Sequence, residues 1–297
     1  MPKPIFIVGN QRSGTTWLAN ILCQHSKIVG VQSKPYGIRE SRYFNWIEGL
    51  FGDLKNNNNF IHFIETYGTS DYFRLTGISK DLFYQQRPKT YFQVFRLLMD
   101  TFANNKKAEY WLEKSPGHTL FLYKISNYFK TAKFIGIKRN AIDTIKSAVR
   151  RTAIRNNVVK KLFILRRLIQ YYKYDKHLNK FLVHSNRTII LNYEDLRKKP
   201  QEVIKKVIIF LGLNFEFTVL KDKYTPNTSF SNFNKEAERA TILTPFEIKM
   251  IKWFSILFKN LPYRFYRILY FFQLNVKKRT IPPDFWKDYI QEKFQQS

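Results

Sequence analysis

Ile5-Phe6-Ile7-Val8-Gly9-Asn10-Gln11-Arg12-Ser13-Gly14-Thr15-Thr16-Trp17-Leu18-Ala19-Asn20-Ile21-Leu22 is the stretch whose reading decides the fold. Ile5–Val8 is an unbroken apolar run, the pattern of a strand buried on both faces. Trp17, Leu18, Ile21 and Leu22 then recur at helical spacing. Between them, Gly9 to Thr16 has the spacing of a phosphate-binding loop, which is Gly, four residues, Gly, Lys and then Ser or Thr. Both glycines and Thr16 are in place, but Thr15 stands where that pattern has lysine. The loop amides and the helix N-terminus still form a cradle for an anion. The cation that would reach the β- and γ-phosphates of a triphosphate is missing, and Arg12 stands inside the loop instead. The loop is therefore expected to hold a phosphate or sulfate group without hydrolysing a triphosphate. A strand–helix turn with no ligand is the bland alternative.

Working outward, further short apolar runs alternate with helical patterns. Ile28–Val31, Tyr110–Leu112, Lys133–Ile137 and Thr188–Leu191 read as strands. The alternation predicts an α/β protein with a P-loop-type parallel β-sheet flanked by helices. Ser115-Pro116 reads as N-cap and first residue of a helix running toward Phe129. Lys199-Pro200 opens another, with a buried face of Val203, Ile204, Val207, Ile208 and Leu211, and Gly212 as its stop. Residues 34 to 108 form a long, less regular insertion after the second strand, where an acceptor region is expected. From Thr244 the chain turns aromatic and basic, which predicts a helical C-terminal appendage over 244–297 on a main domain of 1–243.

Lys and Arg number 51 against 22 Asp and Glu, giving a formal net charge of +29. Such a charge concentrates anions and favours nucleic acid, anionic lipid or a small polyanion, although compositional bias toward Lys, Asn, Ile and Phe accounts for part of it. Cys23 is the only cysteine, which excludes an intramolecular disulfide and a cysteine-based metal site. The N-terminus lacks the basic and apolar regions of a signal peptide, so a cytoplasmic location is expected. Trp253 to Leu274 is interrupted by Lys259, Pro262, Arg264 and Arg267 and falls short of the ~18 uncharged residues of a spanning helix. Its aromatic and basic character permits peripheral contact with an anionic membrane.

Arg12-Ser13-Gly14-Thr15-Thr16-Trp17 resembles the 5′-phosphosulfate loop of the sulfotransferase superfamily, whose donor is 3′-phosphoadenosine 5′-phosphosulfate (PAPS). Lys138-Arg139-Asn140 ends a strand and Ser147 follows Arg139 by eight residues, similar to the family's second signature, which binds the 3′-phosphate. Eight helical residues place Ser147 roughly 12 Å along the axis, so a long arginine side chain folding back could meet its hydroxyl at one dianion. Asn192-Tyr193-Glu194-Asp195-Leu196 and Thr228-Ser229-Phe230 resemble segments that lie near the adenine in relatives. The resemblance implies a donor site of Arg12, Ser13, Gly14, Thr15, Thr16, Trp17, Arg139, Ser147, Tyr193, Ser229 and Phe230. Lys235 and Arg239 are weak substitutes for a basic segment that some relatives direct at the 3′-phosphate.

For the chemistry, Arg39-Glu40-Ser41-Arg42-Tyr43-Phe44 resembles a segment of glycan sulfotransferases in which the glutamate is the general base, a role that passes to Glu40 by resemblance. A surface ion pair is the competing reading of Glu40. Glu113-Lys114-Ser115-Pro116-Gly117-His118 resembles another active-site segment, which implies that Lys114 touches donor or acceptor and makes His118 an alternative base. The implied reaction is in-line transfer of a sulfuryl group to a hydroxyl or amine, with Arg12 and Lys114 supplying positive charge and no metal. The implied partners are PAPS, its desulfo-product 3′-phosphoadenosine 5′-phosphate (PAP), and an acceptor that is a glycan, a lipid or a small alcohol. Two rivals stand beside this reading. One is a kinase on the same scaffold. The other is a basic module binding nucleic acid or membrane through Arg150, Arg151, Arg155, Lys160, Lys161, Arg166 and Arg167, although no base-stacking aromatic motif for specific nucleic-acid recognition accompanies them.

Overall fold

The computed structural model describes residues 1–33, 37–152, 154, 156–183, 185–220, 243–266, 281 and 285–286. Its centre is a five-stranded, wholly parallel sheet of β1 (Lys3–Gly9), β2 (Ile28–Gly30), β5 (Tyr110–Lys114), β6 (Lys133–Lys138) and β7 (Thr188–Asn192), in the order β2-β5-β1-β6-β7. Two short antiparallel strands, β3 (Gln32–Ser33) and β4 (Gly37–Ile38), form a separate ribbon beside it. All five predicted strands are present, each at its expected place.

Alternation along β1 sorts its side chains between two cores. Phe6 and Val8 face one side with Trp111 and Phe134, while Ile5 and Ile7 face the other with Leu112, Ile135 and Ile137. The second side is covered by α1 (Thr15–Leu22), α9 (Tyr193–Lys198) and α10 (Pro200–Leu211), whose Leu18, Leu22, Ile204 and Val207 are buried there. Gly212, at φ 78°, ends α10 in the left-handed conformation that glycine adopts without steric cost.

The first side is covered by the insertion, which is more regular than its sequence suggests. A π-helical turn (Tyr43–Ile47) leads into α2 (Asn57–Gly68), α3 (Asp71–Arg74), α4 (Asp81–Gln86) and α5 (Tyr91–Asn105). Three of these helices begin with a side chain that accepts hydrogen bonds from the first turn: Asn56 for α2, Ser70 for α3 and Thr90 for α5. The helix expected from Pro116 to Phe129 is split into a 3₁₀ turn (Pro116–Phe121) and α6 (Leu122–Tyr128). Ser115 does not cap it, because its hydroxyl donates to Glu113 instead, at 2.6 Å.

A third core joins α7 (Ala141–Thr152), α8 (Asn157–Val183) and α11 (Pro245–Asn260) through Ile145, Val149, Ile164, Leu168, Ile251 and Phe258. Thr244 and Glu247 close a capping box at the start of α11. Glu247 also meets Lys160 of α8 at 2.9 Å, with both side chains buried. Phe6 packs at the middle of the first core, its ring 5.4 Å from those of Trp111 and Phe129 and 5.7 Å from Phe134. Truncating a fully buried phenylalanine costs about 3–5 kcal/mol in lost transfer energy and residual cavity. Phe6→Ala should lower the stability by that amount in urea titration, and a loss under about 1 kcal/mol would mean that this core does not hold the sheet.

Candidate active site

Every strand of the central sheet runs the same way, so the segments that leave β1, β5, β6 and β7 collect along one edge. In such sheets the crevice beyond the carboxyl ends of the strands is where ligands bind. Here that crevice is a cavity of about 570 Å³. Seven cationic side chains line it (Arg12, Arg39, Arg42, Lys114, Arg139, Arg151 and Arg167) against two acids, Glu40 and Asp71. The imbalance favours an anionic ligand.

The loop after β1 forms one wall. Gly9 sits at φ 145°, and a β-carbon there would collide with the Ile137 carbonyl oxygen of β6. Its amide donates to Thr119 Oγ1 at 2.8 Å, and that hydroxyl donates back to the Gly9 carbonyl at 3.1 Å. Ser13 donates through both its amide (3.2 Å) and its hydroxyl (2.6 Å) to the Asn10 carbonyl, closing the turn. Ser13 is fully buried and does not line the cavity. Gly14, at φ 95°, is the N-cap of α1 and offers no side-chain cap. A β-carbon on Gly14 would stand 2.5 Å from the Tyr193 ring, so the ring lies directly against the loop. The first-turn amides of α1 therefore face the cavity beside Thr15, Thr16 and Trp17, with no side chain of the N-cap in the way.

The facing wall comes from β6, α7, α8 and β7. The Arg139 guanidinium lies 4.3 Å from the centre of the Tyr193 ring and donates to the Arg12 carbonyl at 3.0 Å. Tyr193 in turn meets the Trp17 ring edge-on at 5.7 Å. Arg139 and Ser147 both line the cavity, with no direct hydrogen bond between them. Arg12, in a left-handed backbone conformation (φ 71°), reaches across instead and donates from Nε to Ser147 Oγ at 3.1 Å. Arg139 thus braces the loop while its Nε, buried, has no hydrogen-bond partner. Three residues of α8 that no motif announced, Tyr171, Arg167 and Gln170, complete this wall. Tyr171 donates to the Arg139 carbonyl at 2.8 Å, its own carbonyl accepts from Asn10 at 3.2 Å, and Arg167 donates to Gln11 at 2.9 Å and to Gln170 at 2.7 Å. Ser229 and Phe230, with Thr228, Lys235 and Arg239, lie outside the described residues.

The carboxylate Glu40 stands in the same cavity, between Lys114 Nζ at 3.1 Å and Arg42 Nε at 3.5 Å. Burial would push its carboxyl up, but the charges of Lys114 and Arg42 and the hydrogen bond from Lys114 outweigh that and hold it below the ordinary carboxylate range. The loop bearing Glu40 is tied to β5 by Glu113. One Glu113 oxygen accepts from the Ser41 amide (3.1 Å), the Ser41 hydroxyl (2.7 Å) and the Ser115 hydroxyl (2.6 Å), and Ser115 in turn accepts from the Arg42 amide at 3.0 Å. The other Glu113 oxygen lies 2.8 Å from His118 Nδ1.

That arrangement keeps His118 away from the cavity. Its Nε2 accepts from the Phe44 amide at 3.2 Å, which places the proton on Nδ1, facing Glu113. Its only lone pair is occupied, its ring is fully buried, and it does not line the cavity. Among the described residues no group of three or more His, Cys, Asp or Glu side chains is placed to hold a metal ion.

The profile of the sulfotransferase family matches residues 4–217, most of the chain, and the chain belongs to that family. It is similar in fold to the sulfotransferase domain from the Synechococcus PCC 7002 olefin synthase, at 16% identity and a TM-score of 0.52, covering 88% of this chain and 96% of that one. It is likewise similar to the sulfotransferase domain from the curacin biosynthetic pathway, at 22% identity and a TM-score of 0.53, covering 88% and 99%. Among curated protein sequences none matches.

Burial would raise the Glu113 carboxyl, but His118 and the hydroxyls of Ser115 and Ser41 more than offset this and hold it low. A carboxyl held low in the fold contributes stability that is full above about pH 4.3, the ordinary glutamate value, and is lost as pH falls toward the folded value. Glu113→Ala should therefore cost about 3–5 kcal/mol at pH 7, since it strands three buried partners. The difference from wild type should shrink below about pH 4. Glu202→Ala, at an exposed pair with Lys199, should cost under about 0.5 kcal/mol. Urea titrations at both pH values check this, and a Glu113→Ala cost as small as the surface control would remove the brace.

Proposed function

We propose that this sulfotransferase takes its sulfuryl group from PAPS and passes it to a hydroxyl or amine of its acceptor, with Glu40 as general base. The observation that carries the reading is the joining, in one cation-lined cavity, of the loop cradle, the Arg139–Ser147 wall and the Glu40–Lys114 pair. The 5′-phosphosulfate fits the first-turn amides of α1 and Arg12. The 3′-phosphate fits Arg139, whose buried Nε has a hydrogen-bond valence to fill, together with the Ser147 hydroxyl. Trp17 and Tyr193 offer apolar faces to the purine.

The acceptor oxygen attacks sulfur, the bond from sulfur to the bridging phosphate oxygen breaks, PAP leaves, and the acceptor proton passes to Glu40. Because Glu40 is a weakened base, the proton moves late, once the forming S–O bond has made the acceptor oxygen acidic. Arg12 and Lys114 offset the charge that develops on the leaving oxygen.

The kinase rival needs a lysine that the loop replaces with Thr15. Three of the seven cations named for the basic-module rival are drawn elsewhere. Lys160 is buried against Glu247 and Arg151 and Arg167 line the cavity, while Arg155 lies outside the described residues.

Thermal unfolding with PAP, compared with ATP and Mg²⁺, tests the donor. At ~100 times its Kd, PAP should add about 2.7 kcal/mol, a shift of a few degrees, without metal. Arg139→Ala should abolish the shift and Glu40→Gln should keep it. Stabilisation by ATP and Mg²⁺ alone, or by neither nucleotide, would contradict the donor assignment.

A further inference from the structure

Fourteen large apolar side chains stand exposed among the described residues, and eight of them fall on the first turns of α8, on α11 and at Phe265 just beyond it. Single exposed apolar residues are ordinary, whereas a cluster of them marks a surface that meets something. On α11 the buried stripe contains Ile251 and Phe258. Phe246, Trp253 and Ile256, spaced by seven and then three residues, share the opposite stripe and are 61%, 63% and 66% exposed. The two helices adjoin at this point. Lys160 pairs with Glu247, and Lys161 lies 5.0 Å from the Phe246 ring. Val158 and Leu162, one turn apart on α8, are also exposed.

The charge of this face has one sign. Lys249, Lys252 and Lys259 are exposed along α11, and its only acid, Glu247, is buried against Lys160. A protein-binding surface is depleted in lysine at its core. An apolar stripe with tryptophan and phenylalanine, edged by lysines whose stems lie along it, is instead the pattern of a helix that rests in the headgroup region of a bilayer. The chain's net charge of +29 complements an anionic leaflet. No helix among the described residues is long and apolar enough to cross a membrane, so such a contact lies in the membrane plane. Phe246, Trp253, Ile256, Val158 and Leu162 are all absent from the cavity lining, which makes this face separate from the donor site.

We propose that the outer face of α11, with the first turns of α8, docks the protein onto an anionic phospholipid bilayer, with Trp253 and Ile256 entering the headgroup region. Co-sedimentation of the full chain with phosphatidylcholine vesicles, with and without about 30% phosphatidylglycerol, tests it. The wild type should bind the anionic vesicles, ignore the neutral ones, and be released as salt rises to about 0.5 M. Trp253→Ser/Ile256→Ser should lower the partition about tenfold or more, and Lys249→Glu/Lys252→Glu should lower it comparably. Both variants change exposed positions and should keep the wild-type melting temperature and nucleotide response. Failure of the wild type to bind anionic vesicles, or undiminished binding by the Trp253/Ile256 variant, would overturn the proposal. So would light scattering showing a wild-type dimer that this variant dissolves, since a second copy would then occupy the face.

Discussion

Strands β1 and β6 approach each other so closely at their ends that residue 9 has no room for a side chain against the Ile137 carbonyl. The chain must leave β1 as glycine, turn under the hydroxyl of Thr119, and enter α1 through a second left-handed glycine pressed against Tyr193. That one steric constraint sets where the helix amides point. It also brings the ends of β6 and β7 within reach of the loop, so that Arg139 and Tyr193 touch it. A looser strand ending would leave the same residues in the chain without a common cavity between them.

The cavity combines two kinds of electrostatic work. On the loop side, backbone dipoles and arginines are held by hydrogen bonds that run among themselves, from Arg139 to Arg12, from Arg12 to Ser147 and from Tyr171 to Arg139. This is preorganisation, because positive charge is fixed in place before an anion arrives. On the other side a carboxylate is kept ionised by two cations, and its loop is fixed by a second, fully buried carboxylate. Glu113 does not line the cavity, yet it orients Ser41 and, through Ser115, the Arg42 amide, and so fixes the loop that carries Glu40. Helix α11 packs its buried face into a third core and is tied to the same body through Lys160 and Glu247.

Much of this was legible in the chain because it is local. Buried parallel strands leave apolar runs, and the loop is one contiguous stretch whose glycines have a steric reason. The helices of the insertion were not legible, because its aromatic density masks the helical period, although Asn56, Ser70 and Thr90 cap three of them. The pairings across long separations were not readable. Nothing near His118 says that Phe44 would take its lone pair, since the two lie 74 residues apart. Arg12 and Arg139 are chemically alike, so spacing alone could not say which would hold Ser147 (in the fold it is Arg12). Tyr171 and Arg167 sit on a long helix with no motif, and only tertiary packing brings them to the loop.

In the proposed donor site, one edge of the sheet holds both phosphates of a 3′-phosphorylated nucleotide. A crystal structure of the PAP complex tests it most directly. The 5′-phosphate should lie at hydrogen-bonding distance, ~2.7–3.2 Å, from the amides that open α1, and the 3′-phosphate against Arg139 and Ser147. A nucleotide bound elsewhere, or with its 3′-phosphate turned away from Arg139 into solvent, would contradict it.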